Sequence, residues 1–187
     1  MQKDLLSRSA DARADLTALA GRVAGLMGDI RSDHAGETGA VMIYRGIISG
    51  SRDPGVLRFA AAHKATEAEH LALLEVLLPA RARSILLPIW RVAGFFTGFL
   101  PALFGPRAVY ATVAAVETFV DGHYAEQIAK LPPSALRDVL ALCRTDELHH
   151  RDEAQAADPA SPGWALRVWG RLVGTGSALA VVAARRI

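Results

Sequence analysis

The stretch Thr145-Asp-Glu-Leu-His-His150, TDELHH, decides the fold. It lies in a segment that reads as a helix, opened by Ser134 as N-cap and stopped by Asp158-Pro159. An α-helix makes 3.6 residues per turn, so residues three apart share a face and residues two apart point to nearly opposite sides. Glu147 and His150 can therefore share a site, while His149 faces away from it. One Glu-x-x-His by itself says little, because helix surfaces are rich in both residue types.

The rest of the chain supplies what this motif lacks. Asp53-Pro54 opens a helix that runs to about Leu78, and it carries a second Glu-x-x-His in Glu67 and His70. Two further long helices, about 24–49 and 107–130, each hold a glutamate in an apolar or Gly-rich setting, Glu37 and Glu117. A tyrosine follows each by seven residues, Tyr44 and Tyr124, which places it on the face of its own glutamate. Glu37 to Glu67 is 30 residues, as is Glu117 to Glu147, and an offset of 80 maps Glu37, Tyr44, Glu67 and His70 onto Glu117, Tyr124, Glu147 and His150. The spacing predicts two helical hairpins related by a pseudo-twofold axis.

A glutamate from each of two helices and a Glu-x-x-His from each of two others is the ligand set of a dinuclear carboxylate-bridged centre in a four-helix bundle. Four carboxylates balance two divalent irons, and hard oxygen donors suit a metal that reaches the ferric state. Buried together without a cation, they would repel one another at a high cost. The predicted metal ligands are Glu37, Glu67, His70, Glu117, Glu147 and His150. A ligating imidazole passes its other ring proton to an acceptor, for which Asp146 and Asp33 are candidates. Tyr44, Tyr124, His123 and His34 are candidates for neighbours of the site.

The 187 residues fit one domain, 1–187, with an N-terminal extension over 1–30 and two apolar segments, 80–106 and 162–187. The start of the chain has no apolar signal core. The chain is 51% hydrophobic with 21 basic and 19 acidic residues, and its mean hydropathy is +0.22. So small a net charge gives no case for nucleic acid. The single cysteine, Cys143, excludes an internal disulfide. The average hides a pattern: residues 76–116 and 159–187 contain no acid and hold all three tryptophans. Apolar sequence with Arg and Trp suits a membrane interface, and Trp90, Phe95, Phe96 and Phe99 are the expected contacts for membrane or substrate access. Pro88, Pro101 and Arg91 interrupt the ~20-residue apolar run that a spanning helix needs, so the segment 85–104 is expected to lie in one leaflet. Spanning and burial in the core are the alternatives. Ser161-Pro162 is expected to start the last helix.

The motifs RSDHAGETGAVMIYRG, EAEHL, LLPIWRVAGFFTG, VAAVETFVDGHYAEQI and DELHH, from about Arg31 to the C-terminus and in this order, resemble the demethoxyubiquinone hydroxylases of ubiquinone biosynthesis. The resemblance implies an all-α, ferritin-like four-helix bundle with a di-iron centre and additional apolar, membrane-associating helices. It implies an O2-dependent monooxygenase acting on the ring of 2-polyprenyl-3-methyl-6-methoxy-1,4-benzoquinone, with NADH as reductant and a partner protein that presents the lipid substrate. It places the chain as a monotopic protein on the cytoplasmic face of a bacterial inner membrane. Thr38 stands where the family commonly has an aromatic, and His149 where it commonly has an acid. A ferroxidase or peroxidase on the same scaffold would need no acid-free aromatic segment. A non-enzymatic membrane module would not need six ligand types.

Overall fold

The structure is a computed structural model that describes residues 2–187, with side chains from Arg8 onward. Met1, at the head of the predicted extension, lies outside the described residues. Among the described residues there are seven α-helices and no strand. They are α1 (Gln2–Leu19), α2 (Leu26–Gly50), α3 (Pro54–Leu77), α4 (Leu87–Ala102), α5 (Pro106–Lys130), α6 (Ala135–Ala157) and α7 (Trp164–Ala184), with a 3-10 turn at Ala80–Ala82.

The predicted helix starts carry the expected caps. Asp53 accepts a hydrogen bond from the Val56 amide at 2.9 Å, and Pro54 needs no amide partner at the first helical position. Ser134 accepts from the Arg137 amide at 3.2 Å. Gly105, at φ 96, turns the chain from α4 into Pro106, a backbone angle that a side chain would strain. The last helix starts later than expected: Gly163 is extended at φ −61, ψ 168 and α7 begins at Trp164, so Ser161 caps nothing. Residues 158–163 hold two prolines and a glycine, which keep the backbone out of the helical region.

Short links make α2–α3 and α5–α6 antiparallel hairpins. Two apolar clusters close the bundle. One joins Leu26, Ile30, Leu73, Leu77, Leu136 and Leu140, and the other joins Ile47, Val56, Phe59, Val109 and Val113. The polar residues of the predicted site are buried as well, Glu67 and His70 completely. Helix α1 belongs to the bundle, since Ala12 and Leu16 sit in the first cluster beside α3 and α6 side chains.

Helix α4 runs parallel to α2 at backbone contact distance. A Cβ on Gly98 would overlap the Ile43 carbonyl, and one on Gly46 would overlap the Phe95 carbonyl. The segment is thus neither core nor free, because one face packs on α2 and the other is open. Helix α7 is pinned by the Trp169 indole, which donates to Thr112 Oγ1 at 2.8 Å, and by Arg185, 2.8 Å from Asp29. No helix among the described residues is long and apolar enough to cross a membrane.

Candidate metal centre

The six predicted ligands converge. One donor atom from each of Glu37, Glu67, His70 and Glu147 lies within 4.8 Å of the others, and the same holds for Glu67, Glu117, Glu147 and His150. Glu67 and Glu147 occur in both groups, so each could bridge two cations, with Glu37 and His70 at one end and Glu117 and His150 at the other. Both imidazoles point Nδ1 inward. His70 Nδ1 is 3.1 Å from Glu147 Oε1, and His150 Nδ1 is 2.9 Å from Glu67 Oε1.

The chemistry of this donor set fits a pair of cations. Among the described residues, both carboxylate oxygens of Glu67, Oε1 of Glu147 and Nδ1 of both histidines are buried and make no hydrogen bond. Buried acceptors of this kind are costly unless something else binds them. Protons show the same demand. Burial first, and then repulsion from Glu67 and Glu147, pushes the Glu37 and Glu117 carboxyls well above the usual carboxylate range. Burial alone would raise Glu67 too, but contacts with His150 and His70 outweigh it and hold Glu67 well below that range. His150 moves the other way: burial would lower it, and Glu147 and Glu67 raise it to about 9.

The surrounding groups divide by side. His70 Nε2 lies 3.1 Å from Asp146 Oδ2, the position expected of an orienting carboxylate. Asp33 meets neither His70 nor His150. It accepts from Gln127 at 2.6 Å and lies 3.0 Å from His123, which places those three residues in a network of their own. His34 is buried, and neither of its nitrogens makes a hydrogen bond among the described residues. The tyrosines depart from the expected pairing. Tyr124 donates to Glu37 at 2.7 Å and Tyr44 to Glu117 at 3.0 Å, so each serves the glutamate of the other hairpin. Helices α2 and α5 run antiparallel across the centre, and a phenol two turns along one reaches the carboxylate on the other. His149 points to solvent, with a side chain 74% exposed.

A cavity of about 340 Å³ reaches the centre between α2, α4, α5 and α7. Its walls are largely apolar, including Ile43, Trp90, Val116, Phe119 and Leu172, and all four candidate ligand carboxylates, His123 and Tyr124 border it. Of the four aromatic residues expected at the membrane or substrate entrance, Trp90 lines this cavity and Phe96 is exposed. Phe95 and Phe99 stack on each other at 5.5 Å, half-buried, and do not line it.

The sequence matches the family described as "Ubiquinone biosynthesis protein COQ7" over residues 25–184. The chain belongs to this family. The COQ7-family match begins at residue 25, so it takes in the start of α2 that the motif comparison left out. Among curated proteins, this COQ7-family chain is 37% identical over 166 residues to the 3-demethoxyubiquinol 3-hydroxylase of Rhodospirillum rubrum, covering 84% of this chain and 76% of the relative. It is 38% identical over 131 residues to the NADPH-dependent 3-demethoxyubiquinone 3-hydroxylase, mitochondrial, of Dictyostelium discoideum, covering 65% and 59%. It is 32% identical over 166 residues to the protein of the same name in Mus musculus, covering 84% and 76%.

One buried histidine escaped the sequence reading. His63 packs edge-on against His150, with ring centroids 4.1 Å apart, and its Nε2 lies 3.0 Å from Glu153 Oε2. The signal was present: 63, 67 and 70 fall at i, i+4 and i+7 on one helix face. Gln127, three residues after Tyr124, was missed in the same way.

Proposed function

We propose that this chain is a di-iron monooxygenase that hydroxylates the ring of demethoxyubiquinone, 2-polyprenyl-3-methyl-6-methoxy-1,4-benzoquinone, in ubiquinone biosynthesis. The carrying observation is the apolar cavity that ends on four buried carboxylates. A ferritin-like bundle is the arrangement that delivers such a set. Glu37, Glu67, His70, Glu117, Glu147 and His150 would hold two irons, Glu67 and Glu147 shared between them. When bound, iron supplies the redox chemistry that activates oxygen.

The protein's own residues do the rest. The walls between α4 and α7 accept the quinone and keep bulk water from the ring. Trp90 and Phe119 offer flat apolar faces to it. His123, held by Asp33 and Ser32, and Tyr124, held by Glu37, border the cavity and are the polar residues nearest to hand for orienting ring oxygens. The reaction replaces a ring C–H by C–OH. One oxygen atom of O2 enters the product, and the other leaves as water after taking up two electrons and two protons. A reduced nicotinamide supplies the electrons. NADH is the expected donor, and the names of the eukaryotic relatives specify NADPH.

A polyprenyl quinone resides in a bilayer, so the enzyme must meet it there. All the large exposed hydrophobic side chains among the described residues, except Val76, belong to 85–104 or 164–187. Ile89, Val92, Phe96 and Leu100 line the open face of α4, and Trp164, Val168, Leu172 and Leu179 that of α7. We read these faces as a monotopic contact with the cytoplasmic leaflet of a bacterial membrane, with a partner protein presenting the substrate.

The test is iron-loaded protein given demethoxyubiquinone in lipid vesicles with 18O2 and either NADH or NADPH. One labelled oxygen in the hydroxylated product supports the reading. Two bound irons with oxygen consumed and no hydroxylated quinone would overturn it in favour of a ferroxidase or peroxidase.

A further inference from the structure

The α3–α6 side of the molecule carries a second group of metal-ligating side chains that the hydroxylation does not use. His149 and Glu153 stand one turn apart on α6, both at least half exposed, with Nε2 3.6 Å from Oε2. His63, buried on α3, brings its Nε2 to 3.0 Å from the same oxygen. That distance suits a hydrogen bond, but the direction does not, and His63 Nε2 makes none among the described residues.

We propose that His63, His149 and Glu153 form a surface site for a divalent transition-metal ion, through which iron enters the dinuclear centre. Two imidazoles and one carboxylate, with the remaining positions left to water, suit borderline divalent ions such as Fe2+ and Zn2+. The rings of His63 and His149 lie 6.4 Å apart, and the exposed His149 closes the set by turning about its own side-chain bonds. The other approach is hostile to a hydrated dication. The cavity between α4 and α7 is walled by apolar side chains, so an ion would shed its water there before reaching a ligand. On the α3–α6 side the distance to cover is short, because the His63 ring packs directly against the ring of His150, a proposed ligand of the centre.

The duplicated constellation does not require this group. The offset of 80 carries His63 onto Cys143, and carries Glu69 and Leu73 onto His149 and Glu153. Cys143 and Leu73 are fully buried, so the opposite side offers no equivalent entry. The route rests on the dinuclear reading for its destination, while the outer site rests on its own three residues.

The test begins with a calorimetric titration of metal-free protein with Zn2+. Wild type is expected to bind one equivalent that both His149→Ala and Glu153→Gln lose, while Glu67→Gln loses binding at the inner centre and keeps that outer equivalent. Anaerobic stopped-flow loading with Fe2+ is then expected to run several-fold slower in His149→Ala and Glu153→Gln, with the same final iron content at the dinuclear centre. A wild type whose Zn2+ binding neither variant changes, or loading at the wild-type rate in both, overturns the proposal. If Glu67→Gln removes nothing while the other two each remove one equivalent, the outer site stands and the dinuclear reading falls.

Discussion

Tyr124 of one hairpin donates a 2.7 Å hydrogen bond to Glu37 of the other, and both groups are almost completely buried. Tyr44 does the same for Glu117 at 3.0 Å. The crosswise pairing makes the two hairpins hold each other's terminal carboxylates in place. Tyr124→Phe keeps the ring and deletes the donor, so it is expected to cost about 1–2 kcal/mol of folding stability. Tyr44→Phe is expected to cost a similar amount, because the pseudo-twofold gives it the same task. Thermal denaturation of both variants checks this, and an unchanged midpoint in either would refute the supporting role.

Helical facing separates two adjacent histidines. His150→Ala removes an inward-pointing Nδ1 and is expected to lose bound iron and with it turnover. His149→Ala, once fully loaded with iron, is expected to keep both. Iron counted per chain, alongside product formed, tests the pair, and equal losses would contradict the facing seen in the structure.

Among the described residues the carboxylate behind His70 has no counterpart behind His150, since the offset places Thr66 where Asp146 would be. Asp146→Asn is expected to weaken metal affinity at the His70 end by about 10–100-fold. Stepwise Fe2+ titration should show one weakened site and one unchanged. Two sites weakened equally would mean that Asp146 acts through the fold and not through His70.

The metal-free protein should be sensitive to alkali. His150 has its folded pKa raised to about 9 from 6.5, so the stability it contributes is fully present below pH 6.5 and is lost as pH rises through 9. Glu37 and Glu117 are raised as well, and so they also oppose folding as pH climbs above the ordinary carboxylate range. His63, lowered to about 3 first by burial and then by the charge of His150, works in the opposite sense, but its gain is nearly complete once pH has passed the ordinary 6.5 and offsets the trend only at the lower edge of this window. Melting temperatures of metal-free protein should therefore fall between pH 6.5 and 9. Iron-loaded protein should show a smaller fall, because cations replace the protons.

The exposed apolar faces of α4 and α7 are expected to carry vesicle binding. Replacing Ile89 and Phe96, or Trp164 and Leu179, by Glu puts charge on those faces at positions that do not line the cavity. Co-sedimentation with vesicles should drop while iron content stays at the wild-type level. Retained sedimentation would assign the faces to a protein partner.

Much of this was legible in the residues. Helix periodicity, the Asp53-Pro54 and Ser134 caps, and the repeated Glu and Glu-x-x-His spacings depend only on local backbone geometry, and the sequence by itself determined four helices and which side of each carries a candidate ligand. It also determined that His150, and not His149, turns inward. Contacts between helices depend on crossing direction and register, which no local pattern encodes, and the tertiary structure alone decided them. It crossed the tyrosine–glutamate pairs because α2 and α5 run antiparallel, and it sent Asp33 to His123 and Gln127 instead of to a ligand histidine. It laid α4 against α2 through glycines that admit backbone contact, drew α1 into the first apolar cluster, and brought His63 of α3 up against His150 of α6.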